Sequence, residues 1–296
     1  MNRKAIKSIF RKKFNDWIST IDNESVKQLV EKNSIISGGA IVNLLLNEKP
    51  NDYDIYFTNK ETVLAVANYY VSKFNEAHKN VCESNIIDEN ERIRINIRKQ
   101  GFLVDEKFNF DDDGDFSIDE KLIEDIADIV NSDKQEKPKY RPVYLTDNAI
   151  TLSDKMQLII RFYGKPEEIH KNYDFIHCMN YWESSNDNLF LNPEAIESIL
   201  NKELKYSGSL YPIASIIRTR KFLKKGWKIN AGQYLKMCLQ LSKLDLNDIN
   251  ILREQLIGVD LGYFNILIKT LVEQKEKNPT FTFDDNYVIS IIDKIF

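Results

Sequence analysis

Residues 34–57 read SIISGGAIVNLLLNEKPNDYDIYF. Ser34 to Ser37 predicts a short strand that runs straight into Gly38-Gly39. Residues 40–47, AIVNLLLN, place apolar side chains at helical spacing, a turn around Pro50 follows, and Asp52 to Phe57 alternates as a strand does. Two carboxylates at i and i+2 of a strand point to one face. Asp52 and Asp54 are thereby set side by side where they can hold divalent cations, with Tyr53 on the opposite face. Glycines without side chains let a backbone approach a bulky anion, and the N–H groups at the start of the following helix can bind phosphate oxygens. Ser-Gly-Gly alone is common in turns, and Asp-x-Asp alone arises by chance. Strand, Gly-Gly, helix, turn and Asp-x-Asp strand in that order is far more specific. The bland alternative is a tight turn beside a solvated strand edge.

The chain has 296 residues, enough for one large domain or two smaller ones. Sparse Gly and Pro (10 and 7) argue against a linker-rich protein, and the net charge of -4 argues against a basic nucleic-acid coat. Contact with nucleic acid must then come from local basic patches. Three well-separated cysteines, Cys82, Cys178 and Cys238, give no disulfide framework or zinc site and fit a reducing cytoplasm. No apolar run approaches the roughly 20 residues that a membrane span needs, so no membrane partner is expected.

Outward from the opening stretch, residues 2–20 and 24–33 read as helices, the second capped by Asn23 or Ser25. Residues 60–78 read as a further helix. Residues 83–140 form a different region, in which strand-like pieces (RIRINIR, GFLV) flank an acidic stretch. Strand signals return at Ala149–Leu152, Gln157–Phe162 and Phe175–Trp182. The polar segment 183–192, ESSNDNLFLN, is the expected domain break, and the pattern beyond it is helical. The expected fold is α+β, a small mixed sheet with flanking helices followed by an all-helical C-terminal domain. Its parts are residues 1–33 as N-terminal helices, 34–190 as the core with an insertion at about 83–145, and 191–296 as the helical domain.

The opening stretch resembles the first motif of the polymerase-β-like nucleotidyltransferases, most of all the branch of tRNA CCA-adding enzymes and bacterial poly(A) polymerases. The whole chain also looks like nucleotidyltransferase-fold proteins of bacteriophages. By that resemblance Ser37, Gly38 and Gly39 line the triphosphate, and Asp52 and Asp54 bind metal. YDFIHCMNYW (173–182) resembles the strand where the branch carries Asp-Phe-Thr-Ile-Asn, with Asp174 and Phe175 matching. SIIRTRKFLKKGW (215–227) resembles the basic helix that follows. The resemblance implies a Mg²⁺-dependent enzyme with a two-metal site. It would move a nucleoside monophosphate from a nucleoside triphosphate to a hydroxyl acceptor, an RNA or tRNA 3′ end. Catalytically degenerate relatives, and toxin or counter-defence transferases acting on tRNA or protein, share the same motifs. The expected compartment is the cytoplasm, that of the host for a phage protein.

The sequence departs from that pattern in two places. Ile41-Val42-Asn43 stands where the family carries Val-Arg-Asp, and Gln157 stands where it often carries a third metal-binding carboxylate. Asp174 is then the candidate third ligand and catalytic carboxylate beside Asp52 and Asp54. On the basic segment, Arg218, Lys221, Lys225 and Lys228 follow i, i+3, i+7 and i+10, so a helix would gather them on one face for triphosphate or RNA backbone. Ile216, Ile217 and Phe222 would supply its packing face. A solvated charged face is the bland reading. Trp227 and Tyr234 nearby could stack on a base or simply pack. Asn109 to Glu120 has the spacing of a calcium loop, although a solvated acidic loop suits it better. His177, expected on the strand face opposite Asp174, reads as packed.

Overall fold

The computed structural model describes residues 1–77, 82–89, 92–99, 138–256, 262–278, 282 and 285–295. The acidic stretch 109–120, the GFLV piece and His78 lie outside them. The described residues up to Asn201 form one compact unit, and those from Lys202 onward form a second. The expected break at 183–192 lies one helix earlier.

The first unit opens with α1 (Arg3–Ile18) and α2 (Glu24–Asn33). Asn2 and Asn23 cap them, their side chains accepting from the Ala5 and Val26 amides that a helix start leaves unpaired. There follow β1 (Ser34–Ser37), α3 (Gly39–Leu45), β2 (Tyr53–Phe57) and α4 (Lys60–Ala77). The strands β3 (Cys82–Glu89) and β4 (Arg92–Lys99) pair with each other as a separate two-stranded ribbon. Then come β5 (Pro142–Leu145), β6 (Ala149–Leu152), β7 (Met156–Tyr163), the short helix α5 (Pro166–His170), β8 (Tyr181–Glu183), β9 (Asn188–Phe190) and α6 (Pro193–Asn201).

Seven strands form one sheet in the order β5-β6-β7-β2-β1-β8-β9. Only β2 and β7 run parallel, so the sheet is mixed, as expected, but larger than the small sheet foreseen. Alternation along each strand sorts side chains to two faces. Ile36, Tyr53, Ile55, Phe57, Met156, Leu158, Ile160, Trp182 and Leu189 turn to a core completed by Phe10, Phe14 and Trp17 of α1 and by Val63, Val66 and Tyr70 of α4. The Trp17 indole N–H donates to the Tyr70 hydroxyl at 2.7 Å, so the polar atoms of this pair are not left orphaned in the core.

Two expectations change at β8 and β9. The strand expected over Phe175–Trp182 is a 3-10 turn at Ile176–Cys178 followed by a shorter strand. Its backbone groups close locally: the Cys178 amide donates to the Phe175 carbonyl, and the Met179 amide to that of Ile176. Buried Asn180 then donates to the His177 carbonyl and accepts from the Asn192 amide. His177 is buried, as expected, but sits in that turn rather than on a strand. The segment 183–192, polar enough to read as a break, instead carries the β8–β9 hairpin. Asp187, at φ +49°, accepts from the Trp182 indole N–H (2.8 Å) and pairs with Lys7 (3.2 Å) and Arg11 of α1.

The second unit is mainly helical, with α7 (Pro212–Lys224), α8 (Ala231–Leu241), α9 (Ile249–Gln255), α10 (Gly262–Lys277) and α11 (Asp285–Ile295). Ile213 and Ile217 of α7 pack against a cluster of Ile249, Leu252, Leu256, Leu267, Leu271 and Ile291.

Candidate functional site

The site is built on the sheet face turned away from the main core. Ser37 is the register partner of Asp54 on β2, Asp54 that of Gln157 on β7, and Ser37 that of Tyr181 on β8. Ile35, Tyr56, Ile159 and Tyr181, at i±2 or in the same row, pack together on this face with Ile169 and Tyr173. Ser37, Asp54 and Gln157 therefore lie side by side across three adjacent strands. Asp52 is exposed just before β2. There the Tyr53 amide donates to the Lys155 carbonyl at 2.9 Å, drawing in the Asp154-Lys155 turn, whose residues take φ values of 62° and 61°.

Gly38 has φ +86° and ψ -146°. A Cβ placed there would meet Asp54 Oδ2 at 3.2 Å and the Tyr173 hydroxyl at 3.8 Å. Only glycine takes this backbone without strain, and the tight approach brings the glycine turn against the Asp54 carboxylate. Gly39, the first residue of α3, would meet nothing within 4 Å, so open space lies over it. Burial first, and then the neighbouring Asp52 charge, push the Asp54 carboxyl well above the usual carboxylate range. Two like charges converging beside a glycine turn make a site suited to a divalent cation. Among the described residues, no group of three His, Cys, Asp or Glu side chains is placed to hold a metal ion. Asp174 is buried at the entry to the Ile176–Cys178 turn, and Gln157 holds the place beside Asp54.

His170, at the end of α5, was not singled out by the sequence as part of the site. Its Nε2 lies 2.9 Å from Ser37 Oγ, and that hydroxyl donates to the Asn180 carbonyl at 2.8 Å. One hydroxyl proton serves one acceptor, so His170 Nε2–H donates to Ser37. Burial lowers the imidazole pKa to about 4, which keeps the ring neutral in this role at neutral pH. The ring lies 5.0 Å from that of Tyr173 and 5.8 Å from that of Tyr181. No local motif joins Ser37 to a histidine 133 positions later; the packing of α5 on this sheet face does.

Arg218, Lys221 and Lys225 belong to the second unit, on α7 and at its C-cap. Arg218 is half-buried, whereas Lys221 and Lys225 are exposed. Lys228 does not continue their helical stripe. The helix stops because Gly226, at φ +77°, donates to the Leu223 carbonyl and the Trp227 amide donates to that of Phe222. This is a Schellman stop, with the Trp227 and Phe222 rings in contact at 5.8 Å. Lys228 instead enters a bridge with Glu203. Trp227 is buried, so of the two roles left open for it, it takes packing.

The fold is thus a mixed α+β protein whose second sheet face, covered in part by Ile169 and Tyr173, carries a Ser-Gly-Gly turn against the Asp54 carboxylate. Residues 8–202 match the model of the Gabija anti-defense 2 family, and the chain belongs to that family. A "Gabija anti-defense 2" protein of Bacillus phage SPbetaL7 is 25% identical over 107 residues, 36% of this chain and 27% of that protein. The chain therefore aligns with about a quarter of that relative's length. Among solved structures, a CCA-adding enzyme with CTP is similar at a TM-score of 0.39 and 12% identity, over 83% of this chain and 48% of that one. The Thermotoga maritima CCA-adding enzyme complexed with tRNA is similar at 0.38 and 9%, over 93% and 57%. The Bacillus stearothermophilus enzyme with CTP is similar at 0.36 and 11%, over 79% and 47%. No helix among the described residues is long and apolar enough to cross a membrane.

Proposed function

We propose that the chain is a metal-dependent nucleotidyltransferase that works against a host defence system. It would transfer a nucleoside monophosphate from a triphosphate to a hydroxyl, with an RNA 3′ end as the favoured acceptor. One observation carries this reading: the Gly38 turn lies against the Asp54 carboxylate while Gly39 faces open space. A triphosphate laid over Gly39 would have its phosphates beside Asp52 and Asp54. The counter-defence role rests on the family name, and its substrate is part of the proposal.

The donor set suits Mg²⁺, which keeps open positions for phosphates and needs only one or two carboxylates from the protein. Asp52 and Asp54 would hold it, with Asp174 the candidate third ligand. The metal would supply charge neutralisation on the phosphates and a more acidic acceptor hydroxyl. The protein's own residues do the positioning. His170 fixes Ser37, Ser37 fixes the start of the glycine turn, and the backbone there receives the phosphates. Arg218, Lys221 and Lys225, within the second unit, are proposed to bind RNA backbone phosphate.

A second reading is favoured by Gln157. An amide beside Asp54 is a poor metal ligand, and a chain that had lost turnover would keep the fold as a binding protein. Incubation with total RNA and with protein lysate, using each α-labelled triphosphate in turn, separates the two. Mg²⁺-dependent label in either pool supports the enzyme. Triphosphate binding without label transfer supports the binding protein.

A further inference from the structure

Next to the proposed catalytic face, the row of register partners continues outward from Asp54 through Ser37 and Tyr181 to Phe190 on the edge strand β9. Tyr181 and Phe190 are stacked, with centroids 5.1 Å apart and ring planes 25° from parallel. Phe190 is 43% exposed, and among the described residues it is the single aromatic side chain left exposed. Its neighbour Leu189 is fully buried on the other face, so the outward turn of Phe190 follows from strand alternation. At the usual spacing between strands, Phe190 stands about 14 Å from Asp54 along the row. An extended nucleoside triphosphate, or the last nucleotide of a strand whose 3′ hydroxyl meets the carboxylates, can cover that span. The exposed Phe190 ring, backed by Tyr181, gives too little area for a stable protein interface but matches one base, and every base has a π-face to stack.

We propose that Tyr181 and Phe190 form a stacking platform for a nucleobase whose phosphate end lies at Asp52 and Asp54. This assignment rests on the nucleotidyltransferase reading above. His170, between Tyr181 and Ser37, joins the platform to the glycine turn.

The test titrates the full chain and its Phe190→Ala and Phe190→Trp variants with three probes in the presence of Mg²⁺: ATP, inorganic tripolyphosphate and a short oligoadenylate. Removing a stacking ring should weaken a base-bearing probe about five- to 150-fold. Phe190→Trp should retain the affinity and show quenched fluorescence on binding, and tripolyphosphate should bind all three proteins alike. Loss with ATP alone assigns the platform to the incoming nucleotide, and loss with the oligonucleotide alone assigns it to the acceptor. Equal binding of both base-bearing probes by wild type and Phe190→Ala overturns the platform and leaves the catalytic reading standing. A wild-type chain that binds none of the three probes overturns that reading together with the platform.

Discussion

Ser37 and Asp54 face each other as register partners on β1 and β2, so the residue that opens the glycine turn sits directly across from the second carboxylate of Asp-Tyr-Asp. The two halves of the motif, separate in sequence, are one place in the sheet. Turn, carboxylates and the proposed phosphate site should therefore respond together to changes in any of them.

Gly38→Ala and Gly39→Ala should behave differently. At φ +86° and ψ -146°, with Asp54 Oδ2 3.2 Å from the new methyl, alanine at 38 should cost about 1–3 kcal/mol of stability. Alanine at 39 meets nothing and should leave the melting temperature unchanged or slightly raised, yet weaken triphosphate binding by filling the open space. Urea unfolding and triphosphate titration of both variants check this.

Mg²⁺ should raise the thermal stability of the wild type. A ligand bound only by the native state at about 100 times its Kd adds about 2.7 kcal/mol. Asp52→Asn plus Asp54→Asn should remove that gain. Thermal shift with and without Mg²⁺ reads it directly.

Acid should destabilise the first unit through half-buried His170 and buried His177. Burial lowers the pKa of His170 to about 4 and that of His177 to about 3, from 6.5 in each. Both stay neutral when folded, while the unfolded chain takes up their protons below 6.5. Their stabilisation is thus complete above pH 6.5 and declines as pH falls toward 4, by up to about 1.4 kcal/mol per pH unit for each histidine. The stability difference between pH 7.5 and pH 5, measured by urea unfolding, should shrink in His170→Phe.

Asp187→Ala should loosen the β8–β9 hairpin from α1, because it removes the acceptor shared by Trp182, Lys7 and Arg11. A partly exposed ionic cluster of this kind is worth about 1 kcal/mol and weakens in salt. The loss in the variant should be smaller at 1 M NaCl than at low salt, and amide hydrogen exchange should report it at Asn188–Phe190.

The sequence made the fold legible where its periodicities were clean. The α1 and α2 helices, the β1–α3–β2 stretch, and β6 and β7 lie within a residue or two of expectation, because apolar spacing decides each of them. It misled where polar residues make local bonds. Asn180 reads as part of a strand and Asp187 as part of a domain break, but one closes the 3-10 turn and the other anchors a hairpin. The stripe ending at Lys228 failed for a similar reason, since Gly226 stops the helix two residues earlier. The candidate carboxylates and glycines were legible as a motif. His170 and Phe190 were not, because strand order alone sets Phe190 in the row of Ser37 and Tyr181, and only the packing of α5 brings His170 to Ser37.

The most direct test of the carboxylate–glycine site is calorimetric titration of the full chain with a non-hydrolysable triphosphate, with and without Mg²⁺, in the wild type and in Asp52→Ala plus Asp54→Ala. Mg²⁺-dependent binding by the wild type that disappears in a folded double variant is the predicted result. Equal binding by both proteins would contradict it.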